Sequence, residues 1–404
     1  MRIAWVSPLP PQASGIADYS FELLPLVADA AEVHAVCGRK GWRRPRAPSG
    51  LRLVSPEEFE RDFDAYDAVF YHLGNNPWHA FVYGLATRRP GIAVFHDFVM
   101  HHLLAAITCE ENKDWDRYFA LMNAEYGPAG DRLAELRFAG VASEFEKFVF
   151  PLNEQLARSA QAIVVHSEDS RDRMISIAPE ATVVVIPHHA GRPPAKVEGL
   201  TREEARAKLG LPVDEFLVGQ FGYVTRPKQP AAVVGGFGLL AARHPEARLL
   251  LVGADHTGGG LDRLVDRHGL RDRVTMTGFV DLERFYLYLK AVDAVVNLRY
   301  PSAGESSGTF ARALAEGRTV IVNNLGSFAE VPSDVALKVE IDGDQAASVG
   351  AHLLQLADDG AYRAAIEANA REYAKTVLDP LRCRDLYLNL AHLEALKKAA
   401  GAPA

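Results

Sequence analysis

Residues 291–323 read AVDAVVNLRYPSAGESSGTFARALAEGRTVIVN, two apolar runs separated by a small-residue loop and a helical stretch. The apolar runs, 294–298 and 319–323, are continuous rather than alternating, which is typical of parallel strands buried on both faces. The segment between them has room for one crossover helix. This stretch therefore predicts a strand–loop–helix–strand unit whose loop begins at the carboxyl end of a buried strand.

The same unit recurs along the whole chain. Apolar runs occur at 2–7, 32–36, 68–73, 92–96, 162–166 and 182–187, and then at 216–222, 248–253, 273–278, 294–298, 319–323 and 335–339. Two such series predict an α/β protein with two Rossmann-like, doubly wound parallel-sheet domains.

A Pro- and Gly-rich seam at 187–204 divides the two series. We predict an N-terminal domain at 1–195 and a C-terminal domain at 196–380. A terminal helix at 381–404 is expected to pack back toward the N-terminal domain. Residues 101–160 show helical periodicity without a strand pattern, which predicts a helical insertion in the first domain.

Charge and cysteine content narrow the class of protein. The formal net charge of −8 argues against a nucleic-acid partner, because phosphate neutralisation needs a basic surface. The three cysteines, Cys37, Cys109 and Cys383, are widely spaced, which fits a reducing compartment. Neither a signal-peptide core nor an apolar run approaching a membrane span of about 20 residues is visible. These features predict a cytoplasmic location.

The loop at 301–308 carries the first candidate binding residues. Backbone N–H groups of Ser307, Gly308 and Thr309, at a helix start, suit phosphate oxygens. A carboxylate does not favour a bare phosphate, so Glu305 is predicted to bind a hydroxyl, such as one on a sugar. Together these residues predict a site for the diphosphate of a sugar nucleotide.

A second loop, FGYVTRPKQP at 221–230, also follows a predicted strand. It combines a glycine, Gly222, with two cations, Arg226 and Lys228. Paired cations beside a glycine turn suit a diphosphate, whose charge they stabilise when a bond to it breaks. A solvated loop is the alternative interpretation.

The first domain offers candidates at three strand ends. Gly15 lies at a helix start after the first run, where a glycine lets the backbone approach a ligand. His96 ends the run 92–96 and is placed to polarise a substrate hydroxyl. After the run 68–73 comes a cluster of amides and rings that suits an acceptor sugar, consisting of Asn75, Asn76, Trp78 and His79. Plain turns and a satisfied polar histidine are the alternatives.

Taken in order, these motifs resemble the retaining glycosyltransferases of family 4, which have the GT-B fold of two Rossmann-like domains facing a central cleft. The matching stretches are SGIADYS (14–20), VFHD (94–97), FGYVTRPKQ (221–229), VTMTGFV (274–280), GESSGTFARALAEG (304–317) and VIVNNLGSFAEVP (320–332). The resemblance implies transfer of a sugar from a UDP- or GDP-sugar to an acceptor hydroxyl in glycan or glycoconjugate biosynthesis. It implies a retaining reaction with no metal and no prosthetic group.

The resemblance also implies residue roles. Donor-sugar contacts fall on His96 and Glu305. Diphosphate contacts fall on Gly15, Gly222, Lys228, Ser307, Gly308 and Thr309. The stretch Gly278, Phe279 and Val280 would flank the nucleotide base.

Two positions depart from the family pattern. Tyr223 stands where the family has an arginine after the glycine of the cation loop, and Arg226 is the candidate substitute. Ala313 stands where the family has the second glutamate of its E-x7-E motif. Arg312 and Glu316 lie near that position, and Glu316 is the candidate replacement for the ribose contact.

Partners and alternative functions remain open from the sequence. The basic segment 38–52 predicts either peripheral contact with an anionic membrane or lipid-linked acceptor, or a solvated loop. The DxD stretches at 62–64 and 342–344 are interpreted as chance matches rather than metal sites. Besides a transferase with a glycan, lipid-linked or small-molecule acceptor, the sequence allows a GT-B nucleotide-sugar epimerase or a catalytically silent sugar-nucleotide-binding protein.

Overall fold

The computed structural model describes residues 1–12, 14–38, 48 and 50–400. They divide into two compact units. Unit 1 comprises Met1–His188, Ala303–Ser306 and the segment beginning at Pro380, and unit 2 comprises His189–Ser302 and Ser307–Asp379. Each unit is built around its own parallel sheet.

The strands are, in chain order, β1 (Arg2–Val6), β2 (Glu32–Val36), β3 (Arg52–Val54), β4 (Ala68–Leu73), β5 (Ile92–Phe95), β6 (Ala162–Val165), β7 (Val183–Val185), β8 (Leu217–Phe221), β9 (Arg248–Val252), β10 (Val274–Met276), β11 (Ala294–Val296), β12 (Thr319–Asn323) and β13 (Ala336–Val339).

The helices are α1 (Gly15–Ala28), α2 (Pro56–Arg61), α3 (Ala80–Arg88), α4 (His101–Ala105), α5 (Trp115–Phe138), α6 (Glu146–Val149), α7 (Glu154–Ser159), α8 (Glu168–Ile177), α9 (Arg202–Leu209), α10 (Pro230–Arg243), α11 (Gly260–Arg267), α12 (Leu282–Ala291), α13 (Gly308–Ala315), α14 (Gln345–Asp358), α15 (Gly360–Thr376) and α16 (Pro380–Ala399).

Unit 1 has a seven-stranded parallel sheet in the order β3-β2-β1-β4-β5-β6-β7. Helices α4 to α7 occupy the segment that follows β5, and α5 is interrupted at Gly127, which has a φ of 55°. The order reverses between β1 and β4, so loops leaving those two strands diverge to opposite faces. Such a switch point is where open α/β sheets bind ligands.

Unit 2 has a six-stranded parallel sheet in the order β10-β9-β8-β11-β12-β13. Apart from the edge strand β10, its strands are largely buried, as their continuous apolar sequences predict. In β9, Leu250 packs into one hydrophobic cluster while Leu249 and Leu251 pack into the other. The predicted class of two Rossmann-like, doubly wound parallel sheets is therefore confirmed. The switch point of this sheet lies between β8 and β11.

The C-terminal helix α16 belongs to unit 1. Tyr387 of α16 is fully buried, and its hydroxyl lies 3.0 Å from the hydroxyl of Tyr19 on α1. The Tyr387 ring is 5.1 Å from that of Trp5, centroid to centroid. Lys398 Nζ donates to the carbonyl oxygen of Tyr66 at 2.7 Å. The helix thus closes one face of the first sheet.

Strand β3 was missed from the sequence. It has three residues and begins at Arg52, the last residue of the basic segment 38–52. Its backbone pairs with β2, with Val54 opposite Val36. Edge strands of this length carry too few residues for a periodic signal.

Candidate functional site

Two loops of unit 2 meet at its switch point. One follows β8 and the other follows β11, and these strands are neighbours in the sheet. The backbone N–H of Tyr300, in the second loop, donates to the carbonyl oxygen of Pro227, in the first, at 2.8 Å. The cation loop and the small-residue loop are thereby joined at the carboxyl edge of one sheet.

The loop after β8 places Lys228 above the strand end. Gly222 has a φ of 78°, a backbone conformation that favours glycine. Lys228 Nζ donates to the carbonyl oxygen of Phe221 at 2.7 Å and lies 2.6 Å from the position that a Cβ on Gly222 would take. The ammonium group is therefore held at the mouth of β8, where it can meet an anion.

Arg226 is the cation predicted to act beside Lys228. Its side chain lines a separate pocket between α10 and α11, together with Arg263 and Arg267. Lys228 and Gly222 are not among the residues lining that pocket. The pairing of Arg226 with Lys228 around one diphosphate stays a prediction, which the position of Arg226 in this pocket does not support.

Helix α13 begins beside this loop. The hydroxyl of Ser307 accepts a hydrogen bond from Phe310 N at 3.2 Å and so caps the helix. The N–H groups at the start of a helix have no intrahelical acceptor, so those of Gly308 and Thr309 are directed away from the helix body. Their partial positive charge suits a phosphate oxygen.

Glu305 lies in the segment Ala303–Ser306, which clusters with unit 1. Its carboxylate accepts from the backbone N–H of Ala303 at 2.7 Å. The segment is anchored at its backbone, because Val99 N donates to the oxygen of Ala303 at 2.9 Å and Ser170 Oγ donates to that of Gly304 at 3.3 Å. The position of the carboxylate is consequently set by fixed backbone on either side.

Arg173, on α8, was missed by sequence reasoning. Its guanidinium lies 3.7 Å from the centroid of the Phe98 ring. Burial lowers the pKa of Arg173, and the negative charges of Asp169 and Glu305 act in the opposite direction. The sequence of α8 does not indicate that Arg173 lies near Glu305, because only the tertiary fold brings the two residues together.

Gly253 was also missed. A Cβ at this position, which has a φ of 151°, would lie 2.3 Å from the carbonyl oxygen of Gly222. Only glycine allows the backbones that leave β8 and β9 to come so close. The available signal was a glycine directly after an apolar run.

The stretch predicted to flank the base follows β10. Gly278 has a φ of 68°, and no atom lies within 4 Å of where its Cβ would be. The Phe279 ring is 68% exposed, whereas Val280 packs against the hydrophobic core of unit 2. An exposed ring beside an open backbone can stack on a planar group, and Val280 holds the loop in place.

Glu316, the candidate for the ribose contact, lies at the C-terminal end of α13. Glu316 follows the last turn of the helix, and its carboxylate accepts from Lys290 Nζ at 2.5 Å. Both side chains are largely buried, at 11% and 10% exposure. Helical rise places Glu316 roughly 12 Å from the start of α13. Its contact with the ribose stays a prediction, which the ion pair with Lys290 does not support. Arg312, on the same helix, is itself buried.

In unit 1, His96 lies in a buried chain of three histidines. His166 Nδ1 lies 2.7 Å from the carbonyl oxygen of Ile186, and because a carbonyl only accepts, this nitrogen carries the proton. His166 Nε2 must then accept from His96 Nδ1, 3.0 Å away. His96 Nε2 in turn accepts from His72 Nδ1 at 2.9 Å. Both ring nitrogens of His96 are used.

These histidines are held neutral. Burial lowers the pKa of His96 and of His72 well below the ordinary value, and neighbouring histidines add to the effect. Burial lowers the pKa of His166 to about 4. A chain of neutral rings can position the ends of β4, β5 and β6, but near neutral pH it holds no imidazolium that could act as a general acid.

The predicted acceptor cluster is only partly exposed. His79 is fully buried and lies 2.8 Å from the carbonyl oxygen of His72 through Nδ1. Asn75 is occupied by His102 and Leu103 through its amide nitrogen and oxygen, and Asn76 caps the next turn through Trp78 N. The contact of His79 and Asn75 with an acceptor stays a prediction, which the burial of His79 and the hydrogen bonds of Asn75 within unit 1 do not support. Trp78 is 40% exposed.

The remaining predicted features are Gly15, the DxD stretches, the cysteines and the basic segment. Gly15 begins α1, and no atom lies within 4 Å of where its Cβ would be, so its backbone is open to approach. Of the DxD residues, Asp344 caps α14 and Asp62 bonds Arg61. The three cysteines are buried free thiols. The basic segment 38–52 lies largely outside the described residues, which omit 39–47 and 49.

Two features are absent from the described residues, a metal-binding cluster and a membrane-spanning helix. Among residues 1–12, 14–38, 48 and 50–400, no group of three or more His, Cys, Asp or Glu side chains is arranged to hold a metal ion. Within the same part of the chain, no helix has the length and apolar composition required to cross a bilayer.

Part of the chain matches a known protein family. Residues 201–373 match the family described as glycosyl transferases group 1. The chain is 25% identical over 262 residues to alpha-monoglucosyldiacylglycerol synthase of Acholeplasma laidlawii, covering 63% of this chain and 64% of that protein. It is 30% identical over 235 residues to D-inositol 3-phosphate glycosyltransferase of Mycobacterium tuberculosis strain F11, covering 55% and 46%. The chain thus spans about half to two thirds of the length of these relatives.

Solved structures share the fold over nearly the whole chain. Sucrose-phosphate synthase of Thermosynechococcus elongatus superposes with a TM-score of 0.64 at 18% identity, covering 96% of this chain and 99% of that one. Anabaena HepE in complex with UDP-glucose superposes with a TM-score of 0.63 at 17% identity, covering 96% and 99%. At these identities the likeness concerns the fold. The resemblance to GT-B glycosyltransferases inferred from sequence is confirmed, and the matching family model is that of group 1.

Proposed function

We propose that this chain, whose residues 201–373 match the glycosyl transferases group 1 family, transfers a sugar from a nucleotide-diphosphate sugar to an acceptor hydroxyl. The observation that carries the proposal is the junction of two loops at the switch point of unit 2. There Lys228 stands at the end of β8, and the backbone of the neighbouring loop is tied to it through Tyr300 and Pro227.

The chemistry follows from the charges at that junction. The bond from the anomeric carbon to the diphosphate oxygen breaks, and negative charge grows on the departing diphosphate. The ammonium of Lys228 and the first amides of α13 stabilise that charge, because they are fixed donors that need no reorganisation. Glu305, an acceptor only, suits a hydroxyl of the donor sugar.

Retention of configuration is the proposed stereochemistry. The new bond forms from the acceptor oxygen to the anomeric carbon on the face that the diphosphate leaves, and the hydroxyl proton passes to the departing phosphate. This route asks for no basic side chain. It agrees with a His96 whose two nitrogens are already engaged, and any contact of His96 with the sugar falls to its carbon edge.

UDP-sugars are the first donors to test, with GDP-sugars as the alternative. Structures of HepE contain UDP and UDP-glucose, and they share this fold. The exposed Phe279 ring is the proposed stacking surface for the base. The names of the two relatives, a glucosyldiacylglycerol synthase and an inositol phosphate glycosyltransferase, place lipid-linked and small polyol acceptors beside glycans as candidates.

A silent sugar-nucleotide-binding protein is the second candidate. Tyr223 and Ala313 replace two charged residues of the family pattern, and the proposed substitutes do not fill their places. Arg226 lines another pocket, and Glu316 bonds Lys290. Such a protein would bind a sugar nucleotide through Lys228 and the amides of α13 but would not catalyse its turnover.

A nucleotide-release assay separates these candidates. UDP-, GDP- and dTDP-sugars are incubated with the wild type, with Glu305→Ala and with Glu372→Ala, a control at an exposed glutamate of α15. We expect release from one donor, lost in Glu305→Ala and kept in Glu372→Ala. Binding without release, even with mixed acceptors, identifies the silent binder, and absence of binding to every donor contradicts the proposal.

A further inference from the structure

A pocket of about 270 Å³ lies between α10 and α11 in unit 2. Three arginines line it, Arg226, Arg263 and Arg267, together with Pro230, Ala231, Thr257, Gly260, Leu261 and Leu264. No acidic side chain is among the lining residues. The pocket therefore combines three positive charges with an apolar floor.

The three guanidinium groups are unneutralised. Within the described part of the chain, their side chains form neither an ion pair nor a hydrogen bond. The acidic residues of α11 are engaged elsewhere, because Asp262 and Asp266 both accept from Arg271, at 2.6 Å each. Those two carboxylates form one row of the helix, and the arginines form another.

Helix geometry explains how the arginines converge. Arg263 and Arg267 are four residues apart on α11, so their side chains share one face. Arg263 Nη1 lies 3.6 Å from where a Cβ of Gly259 would be, over the turn that opens the helix. Arg226 faces them from the turn before α10. Three like charges around one pocket repel each other unless an anion lies between them.

We propose that this pocket binds a phosphate monoester, separately from the nucleotide site. Guanidinium forks match phosphate oxygens in pairs, and a monoester carries about −1.5 to −2 charges near neutral pH. The side chains of Leu261 and Leu264 suit the carbon skeleton that bears the phosphate. The volume fits a small phosphorylated molecule or the headgroup of an anionic lipid. The inference does not depend on the proposed transferase activity.

Binding is measured by isothermal titration with sn-glycerol 3-phosphate, and by sedimentation with vesicles of phosphatidylcholine with or without phosphatidic acid. UDP is present throughout to fill the nucleotide site. The variants are Arg263→Gln/Arg267→Gln and, as a control, Arg243→Gln. Arg243 ends α10 and its side chain is 66% exposed, so its replacement alters charge in the same unit away from the pocket. Unfolding midpoints verify that the variants fold.

We expect the wild type to bind one of the two probes, at least ten-fold more tightly than Arg263→Gln/Arg267→Gln, with Arg243→Gln unchanged. Binding of glycerol 3-phosphate identifies a soluble ligand, and binding of phosphatidic acid vesicles identifies a lipid source. Equal affinity in the wild type and the double variant, or binding of neither probe, overturns the proposal. If UDP itself fails to bind, the nucleotide site is refuted while this comparison still stands.

Discussion

At the scale of single residues, the sequence indicates backbone positions but does not indicate tertiary partners. Lys228 and Ser307 lie at the ends of recognisable elements, and the structure brings their loops together. Glu316, by contrast, has the right residue type at a plausible spacing, but Lys290 occupies its carboxylate. That partner comes from α12 and has no mark in the local sequence.

Gly222→Ala is expected to weaken UDP binding. The residue has a positive φ, and a Cβ would displace the ammonium of Lys228. We expect a loss of about 1 kcal/mol of stability and about ten-fold in UDP affinity, which corresponds to about 1.4 kcal/mol. Gly210→Ala is the control, because Gly210 has a φ of 66° but open space around it. Thermal unfolding and calorimetry measure both effects, and a similar loss of affinity in the two variants would contradict the account.

Glu316→Ala is expected to affect stability rather than donor binding. Removing the carboxylate leaves Lys290 largely buried without its partner, which costs about 3 kcal/mol in the free energy of unfolding. UDP affinity of the folded protein should stay within two-fold of the wild type. Urea unfolding and calorimetry test this. A variant of unchanged stability with weakened UDP binding would restore Glu316 to the ribose.

At the scale of elements, continuous apolar runs identified nearly all of the strands. These runs did not indicate which polar residues at the strand ends hydrogen-bond to each other. His72, His96 and His166 follow or end three neighbouring strands, and their mutual hydrogen bonds depend on strand order. The pairing of β4, β5 and β6 is a long-range property that the sequence of a single strand does not contain.

The histidine cluster predicts acid sensitivity of unit 1. Burial lowers the pKa of His79 and of His166 to about 4, so the folded state keeps these rings neutral while the unfolded chain takes up protons below its ordinary pKa of about 6.5. Unfolding therefore binds protons, and stability falls as the pH is lowered from about 6.5 toward 4. Each histidine contributes a slope of up to about 1.4 kcal/mol per pH unit.

Urea unfolding between pH 7 and pH 5.5 measures this slope. His79→Gln should reduce it, whereas His256→Gln, at an exposed histidine, should leave it unchanged. A stability that does not vary over this range, or a slope that is the same in His79→Gln, would show that these rings are not held neutral by the fold.

Helix α16 is expected to stabilise unit 1 through one aromatic side chain. Tyr387 is fully buried against Trp5 and Tyr19, so Tyr387→Ala should cost about 4 kcal/mol. Leu393→Ala, on the same helix with 56% exposure, should change stability by less than about 0.5 kcal/mol. All four tryptophans precede residue 189, so tryptophan fluorescence during urea unfolding reports on unit 1. Equal stability of the two variants would mean that α16 does not support the unit.

At the scale of the whole molecule, the two-sheet architecture was predictable because each strand carries its own apolar signal. The division of the chain between the two units was less predictable. The predicted boundary lies between residues 195 and 196, within the seam 187–204, whereas unit 2 begins at His189 and leaves Ala303–Ser306 to unit 1. That short segment joins unit 1 through contacts of its backbone with Val99 and Ser170, which no local pattern announces.

The central claim is that the carboxyl edge of unit 2, between β8 and β11, holds the diphosphate of a nucleotide sugar. Calorimetric titration of UDP and of uridine tests it in the wild type, in Lys228→Met and in Lys208→Met, a control at an exposed lysine of α9. Loss of one charged hydrogen bond to phosphate costs about 2 kcal/mol, roughly thirty-fold in affinity. We predict that Lys228→Met loses this much for UDP and nothing for uridine, with Lys208→Met unchanged. Equal UDP affinity in all three proteins would place the diphosphate elsewhere and contradict the account.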